Sequence, residues 1–315
     1  MPPFPTLTAG TVDELFNLSK GHPVFRVTMV NGQQFVIKAD SRGSMGSGAG
    51  GFAKFDATLM SNVSKNTEIE LLTRLELAHL RQCVSKVKPA TEIGPFQANV
   101  MGDANFWYKM PELALKTAQG MFDKGEGEFL RKTFKNEKNL VKLGKIAAVD
   151  IFIGNKDRFD EEGNVANLGN IFFAKKRGLT GSSFTPIGLD FWDGFKEDMN
   201  MTLTASRWEL LKQAQGVATG SHMESEFKKR MRILIDPGLM KSFATKTVET
   251  LNQDLIRNNV TAIDTSKVKY ATAMASGIAE GSASIQKYLK AQVAKGGMGA
   301  IPPGALYRAQ LLKWF

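Results

Sequence analysis

Three polar residues in the middle of the chain stand beside apolar, strand-like runs. Asp157 lies in the stretch Gly154-Asn155-Lys156-Asp157-Arg158, Asn170 precedes Ile-Phe-Phe, and Asp190 follows Pro-Ile-Gly-Leu. One carboxylate can accept a hydrogen bond from an attacking hydroxyl, while an amide oxygen and a second carboxylate can hold divalent metal ions. Transfer of a phosphoryl group from a metal-bound nucleotide needs a set of this kind.

Each of these positions has an alternative. Asn167 competes with Asn170 ahead of the same strand, and Asp193 is close enough in sequence to replace Asp190. The Asn, Lys and Asp around Asp157 also suit a solvated surface turn. A carboxylate between two apolar neighbours, as at position 190, is costly to bury without a partner, and a metal ion would provide one.

Near the N-terminus, two apolar runs joined by Asn31-Gly32 predict a hairpin over 23–39, because both central residues of such a turn favour positive φ. Lys38 ends the second strand, where a lysine can contact nucleotide phosphates. The glycine-rich run 41–51 follows this lysine and suits a flexible linker or a phosphate cradle. Gly21, just before the hairpin, offers a minimal phosphate loop instead.

The partner of Lys38 is expected on the next helix, predicted for 66–80. Glu68 and Glu70 are two positions apart and do not share a helix face, so only one can serve, and we favour Glu70. The alternative is that both are exposed charges at a helix start.

Phe106 to Met110 predicts a compact aromatic strand, ended by Pro111. Such a strand suits a hinge that binds the edge of an adenine ring, with Tyr108, Met110 and Glu112 as the predicted contacts. The competing interpretation is a core edge strand.

The pattern of elements predicts an α+β protein. Apolar residues predict a buried helix over 140–152 and short strands over 171–174 and 185–189, whereas the residues after Trp192 read as helices. A short helix is also expected from Thr11 to Ser19. We predict that the chain has three parts: an N-terminal segment 1–20, a strand-rich lobe 21–110 and a helical lobe 111–315.

Composition narrows the function classes. The net charge of +10 favours phosphate-bearing ligands. The basic clusters 175–177 and 228–232 suit a solvated turn and a solvated helix face, and no nucleic-acid module motif accompanies them.

Without an 18-residue apolar run or a signal peptide, and with a single cysteine, the sequence predicts no membrane span and no internal disulfide. We expect a cytoplasmic protein, or one secreted without a cleaved signal into a target cell. The run Gly-Ser-His-Met at 220–223 is either part of the native sequence or an engineered junction.

The order of lysine strand, acidic helix, hinge strand, Gly-Asn-x-Asp-Arg, Asn strand and Asp strand resembles atypical kinases of the phosphoinositide-kinase, HipA-type and bacterial-effector group. The resemblance covers 24–195. Two features depart from it: the glycine-rich run follows Lys38 rather than preceding it, and Phe159 stands where these families often have His.

The resemblance implies a two-lobed protein-kinase-like fold that uses ATP with Mg²⁺, or Mn²⁺ in its place. It implies that Asp157 and Arg158 act in catalysis, that Lys38 and Glu70 position phosphates, and that Asn170 and Asp190 hold metal. The expected function is a protein Ser/Thr kinase acting as a bacterial toxin or translocated effector, with an activating partner possible. Alternatives are a phosphoinositide kinase, transfer of AMP or glutamate, and a catalytically idle protein-binding module.

Overall fold

The chain divides into two compact units. A computed structural model describes residues 4–18, 23–40, 51–64, 70–101, 106–110, 115–178, 181–188, 229–264, 268–295, 301 and 303–315. One unit comprises 1–58 and 68–115, and the other comprises 59–67 and 116–315. The predicted α+β class is confirmed, with a small strand-rich N-terminal unit and a larger helical C-terminal unit. In the described part, no helix has the length and apolar character needed to cross a membrane.

The N-terminal unit is built on a six-stranded sheet. Its strands are β1 (Val12–Asn17), β2 (Val24–Met29), β3 (Gln34–Asp40), β4 (Glu70–Leu71), β5 (Val87–Lys88) and β6 (Phe106–Met110). They lie in the order β4-β6-β3-β2-β1-β5. Helices α2 (Arg74–Gln82) and α3 (Ile93–Met101) supply Leu80, Phe96 and Val100 to the core of this unit.

The predicted hairpin is confirmed, since β2 and β3 pair antiparallel. Gly32 has a φ of 78°, and the side chain of Asn31 accepts a hydrogen bond from the N–H of Gln33 at 3.0 Å. Asn31 keeps a negative φ. Positive φ therefore occurs at only one of the two turn residues.

The helix predicted from Thr11 to Ser19 is wrong, because β1 occupies this stretch and pairs with β2. Val12 and Leu15 are both buried, and a spacing of three suggests a helix. The register of β1 shifts between Val12 and Glu14. A bulge of this kind adds one residue to the strand, so two residues three positions apart face the same side.

The C-terminal unit is mainly helical. Its elements include the end of α1 (Gly51–Ser64), α4 (Ala118–Asp123), α5 (Gly127–Lys135), α6 (Glu137–Ile153), α7 (Pro237–Arg257), α8 (Lys269–Ala294) and α9 (Pro303–Leu311). A three-stranded sheet joins β7 (Leu115–Thr117), β8 (Phe172–Gly178) and β9 (Gly181–Ile187). The buried helix predicted over 140–152 is confirmed as part of α6.

Helix α6 packs on α8 through glycines. A Cβ at Gly144 would overlap the backbone carbonyl of Met274, and one at Gly277 would overlap the carbonyl of Val141. The two helix backbones therefore approach more closely than side chains allow. Protein interiors are close-packed, so this contact fixes the position of α6 and of the loop that follows it.

Candidate active site

Helix α6 ends at a glycine with left-handed backbone geometry. Gly154 has φ 83° and ψ 15°, and its N–H donates to the carbonyl of Asp150. The N–H of Asn155 donates to the same carbonyl at 2.8 Å. A non-glycine residue with this backbone costs about 1–2 kcal/mol. The glycine therefore allows the chain to leave the helix at once and begin the loop 154–160.

Asp150 organises this loop from inside the protein. Its side chain is fully buried and accepts a hydrogen bond from the side-chain amide of Asn155 at 3.0 Å. Nη1 of Arg158 donates to both of its carboxylate oxygens, at 2.6 and 2.5 Å. Burial raises the pKa of Asp150, and the charge and hydrogen bonds of Arg158 oppose that rise. The carboxylate thus holds two loop residues at once.

Arg158 links the loop to the strand that follows. Its side chain is only 1% exposed, and its Nε donates to the backbone carbonyl of Asn170 at 2.8 Å. The resemblance implied a role in catalysis for this arginine. Its contacts with Asp150 and Asn170 are those of a brace.

Asp157 lies on the turn that this brace encloses. Its N–H donates to Oδ1 of Asn155 at 3.0 Å, and its carbonyl accepts a hydrogen bond from the side chain of Asn170 at 3.4 Å. These contacts use backbone atoms of Asp157, which is half-buried, whereas Lys156 is exposed. These two hydrogen bonds hold the backbone of the residue that bears the carboxylate.

The structure separates the two Asn candidates. Asn167 is exposed, and its Oδ1 accepts a hydrogen bond from the N–H of Gly169 at 2.8 Å, which caps the short helical turn Leu168–Asn170. Asn170 is half-buried and contacts the Asp157 turn through both its side chain and its backbone. The geometry favours Asn170 over Asn167 as the neighbour of Asp157.

Asp190 lies outside the described residues, as do Asp193, Glu112, Glu68, Gly21, residues 41–50 and the run 220–223. The hairpin of β8 and β9, which precedes Asp190 in the chain, is described. β8 and β9 pair antiparallel with Phe172 opposite Ile187. Asn170 therefore precedes the hairpin at the same end at which Gly188 leaves it. Within the described residues, no group of three His, Cys, Asp or Glu side chains is placed to hold a metal ion.

Phe159, which departs from the resembling families, is an anchor for the loop. It is fully buried and packs edge-on against Phe243 of α7, with ring centroids 6.1 Å apart. The turn 160–166 beyond it closes through a bridge between Phe159 and Val165. Thr247 of α7 donates to the carbonyl of Gly163 at 2.6 Å. The stretch 159–166 is thus docked on α7.

Arg230 is a site residue that the sequence analysis missed. It lies in the basic cluster expected to be a solvated helix face, yet it is only 5% exposed. Its Nη2 donates to the carbonyl of Asn155 at 2.5 Å and to that of Phe159 at 3.3 Å. The expectation of a solvated face is wrong for this residue, although Arg232 beside it is exposed.

In the N-terminal unit, Glu70 lies on strand β4 and not on the predicted helix. The helix starts at Arg74 because Thr73 and Glu76 form a reciprocal capping box. The carboxylate of Glu70 accepts a hydrogen bond from Nζ of Lys109 at 3.0 Å. Lys38 is half-buried on β3, opposite Tyr108 of β6.

The predicted strand over 106–110 is confirmed as β6, and the structure places it inside the sheet, between β4 and β3. Tyr108 pairs with Leu71 on one side and with Lys38 on the other. Its backbone is therefore flanked by strands, and Met110 pairs with Val36 of β3. Tyr108 and Met110 stay predictions as contacts with adenine.

Lys109 and Glu76 form a buried ion pair that the sequence analysis also missed. Their charged atoms are 2.5 Å apart, and the side chains are 1% and 3% exposed. Lys109 also donates to the carbonyl of Pro5 at 3.1 Å, and Glu76 accepts a hydrogen bond from the N–H of Leu7 at 2.9 Å. The pair fastens the N-terminal residues to β6 and α2.

We expect Glu76→Gln to destabilise the N-terminal unit by about 1–3 kcal/mol at neutral pH, because the ammonium of Lys109 loses its buried carboxylate partner and retains the more exposed carboxylate of Glu70, at 3.0 Å. Burial acts to raise the pKa of Glu76, but hydrogen bonds from Lys109, Leu7 and Thr73 outweigh it and lower the pKa. The contribution of Glu76 is therefore present above the pKa of the unfolded chain, about 4.3, and is lost as pH falls through the lower folded value. Urea unfolding at pH 7 and pH 3 measures this, and an equal difference at both pH values would contradict it.

No protein-family model and no curated protein sequence matches the chain. Among solved structures, it is similar to the crystal structure of the Golgi casein kinase with Mn/ADP bound. The two are 12% identical, the match covers 93% of this chain and 75% of that chain, and the TM-score is 0.32. A similarity of this size assigns neither a family nor an activity, so the function rests on the chain's own residues.

Proposed function

We propose that the chain is an Mg-ATP-dependent phosphotransferase that acts on protein Ser or Thr hydroxyls. The observation that carries this proposal is the braced loop around Asp157. A buried carboxylate, Asp150, holds Asn155 and Arg158, and Arg158 holds the backbone of Asn170. Phosphoryl transfer depends mainly on positioning and electrostatic stabilisation, and this network fixes the backbone of two predicted site residues.

In this proposal Asp157 accepts a hydrogen bond from the acceptor hydroxyl and orients it toward the phosphate. The side-chain amide of Asn170 donates through nitrogen to the Asp157 carbonyl, which leaves its oxygen as a candidate metal ligand. Oxygen donors of this type, with the carboxylate of Asp190, suit Mg²⁺ or Mn²⁺. A bound metal would neutralise phosphate charge. Lys38 remains the predicted phosphate contact.

A second candidate function is a protein-binding module that has lost catalysis. The observation in its favour is the engagement of Glu70 by Lys109, because Glu70 was the expected partner of Lys38. The two candidates differ in what they require of nucleotide, since only the enzyme needs a site for Mg-ATP.

We expect Mg-ATP to raise the melting temperature, and ATP with EDTA to raise it much less, because a ligand that binds only the folded state stabilises it. Asp190→Ala should remove the metal dependence; if Asp193→Ala removed it instead, Asp193 would be the metal ligand. If millimolar Mg-ATP or Mn-ATP produced no shift, the binding-module function would be the better proposal.

Incubation with γ-labelled and α-labelled ATP, in the presence of protein extract or phosphoinositide vesicles, tests the reaction itself. Label from the γ position on Ser or Thr supports the proposal. Label on lipid assigns a phosphoinositide kinase, and label from the α position assigns AMP transfer. Extracts of bacterial and of host cells test the proposed role as a toxin or translocated effector, since that role requires substrates in the target cell.

A further inference from the structure

Arg230 holds both ends of the turn that carries Asp157. The carbonyls of Asn155 and Phe159, which accept its hydrogen bonds, stand two residues before and two residues after Asp157. A single guanidinium nitrogen that bonds both carbonyls limits how far the turn can open. Arg230 comes from a part of the chain more than 70 residues away, so this restraint is tertiary and is not part of the loop's own fold.

The burial of Arg230 is costly for the fold. Its Nε and Nη1 are buried and have no hydrogen-bond partner in the described part of the chain. Burial lowers its pKa to about 10, with Asp150 opposing this shift and Arg308 adding to it. Buried polar groups without partners destabilise proteins, and features that lower stability in this way are expected at functional sites. Stability alone does not account for a guanidinium at this position.

We infer that Arg230 is a positioning residue, which holds Asp157 in place for phosphoryl transfer by clamping the carbonyls of Asn155 and Phe159. The inference rests on the proposed function. It differs from the role of Arg158, which braces the loop from within through Asp150.

Arg308 provides a matched control. It is also buried, at 1% exposure, and it donates to the carbonyl of Phe152 in the last turn of α6. It thus places a second cation near the same helix end, and its described hydrogen bond goes to a carbonyl that does not flank Asp157. Arg308→Met and Arg230→Met remove similar side chains, but only the second removes the clamp.

For Arg230→Met we expect kcat to fall by about 10²-fold with the KM for ATP within about threefold of wild type, since small displacements of a catalytic group have effects of this size. The melting temperature should stay level or rise, because the costly buried cation is gone. Arg230→Lys, whose ammonium can donate to both carbonyls, should restore part of kcat. Arg308→Met should keep kcat within about threefold.

Hydrogen exchange gives a readout that does not depend on activity. The amide of Asp157, which bonds Asn155, and that of Ala166, which bonds the carbonyl of Arg158, should exchange about 10-fold faster in Arg230→Met and unchanged in Arg308→Met. Faster exchange would support the clamp even if no substrate were phosphorylated, in which case the proposed function alone would fail. Wild-type exchange in Arg230→Met, or a loss of kcat matched by a lower melting temperature and not restored by Arg230→Lys, would overturn the inference.

Discussion

Replacing Asp157 with Asn is expected to lower phosphoryl transfer by about 10³-fold, because proton acceptance by a positioned side chain contributes about 10²–10⁴-fold to catalysis. An amide of the same shape cannot accept the proton of the acceptor hydroxyl as a carboxylate does. The described hydrogen bonds of Asp157 to Asn155 and Asn170 use backbone atoms, so the turn should persist. The loss corresponds to about 4 kcal/mol of transition-state stabilisation.

The measurement is initial rate together with melting temperature and ATP affinity in the same preparation. Glu162→Gln is the matched control, since it removes one carboxylate from the adjoining turn 160–166 at an exposed position, and it should keep the rate within about threefold. Equal rates for Asp157→Asn and wild type would remove Asp157 from the mechanism. A large drop in melting temperature would instead show that its side chain holds the fold.

The local parts of the site could be predicted from the sequence. The stretch 140–152 is apolar apart from Lys142, Lys145 and Asp150, which is typical of a largely buried helix, and a glycine directly after the helix end at Ile153 marks the exit from α6. The short strands over 171–174 and 185–189 were likewise evident from apolar runs, but β8 continues to Gly178 and β9 begins at Gly181, so the basic run 175–177 lies in β8 and not in the predicted turn. In these cases the deciding interactions are close in sequence, so the pattern carries them.

The parts that could not be predicted depend on partners far along the chain. Lys229, Arg230 and Arg232 are all basic residues of one short run, yet Arg230 is buried whereas Lys229 and Arg232 are exposed. Its partners are backbone carbonyls, which every residue has, so no residue type in the sequence marks them. Whether a basic residue faces solvent or such carbonyls is decided by tertiary packing alone.

Glu70 and Glu76 also show that the sequence alone did not identify which carboxylate is buried. Both lie in an acidic stretch that reads as one helix, but pairing of β4 with β6 takes up Glu70, and the capping box places Glu76 in the first turn of α2. The buried carboxylate is therefore Glu76, six residues beyond the predicted one. Its signature, Thr-x-x-Glu, was present in the sequence as a helix-start signal.

The second large effect is expected from the buried pair of Asp150 and Arg158. Removing one partner leaves an uncompensated buried charge, so Asp150→Asn and Arg158→Met should each destabilise the C-terminal unit by about 3–5 kcal/mol. The pair of Lys145 and Glu280, which joins α6 to α8 at the surface with side chains 26% and 51% exposed, is the control. Glu280→Gln should cost about 1 kcal/mol or less.

The double variant Asp150→Leu with Arg158→Met separates stability from positioning. Apolar side chains of similar size often replace a buried ion pair without loss of stability, so urea unfolding should show recovery of most of the stability that either single change removes. Turnover should nevertheless stay about 10²-fold below wild type, because the hydrogen bonds from Asn155 to Asp150 and from Arg158 to Asn170 are both gone. If turnover returned together with stability, the network would serve only the fold, and the braced loop would no longer support the proposed function.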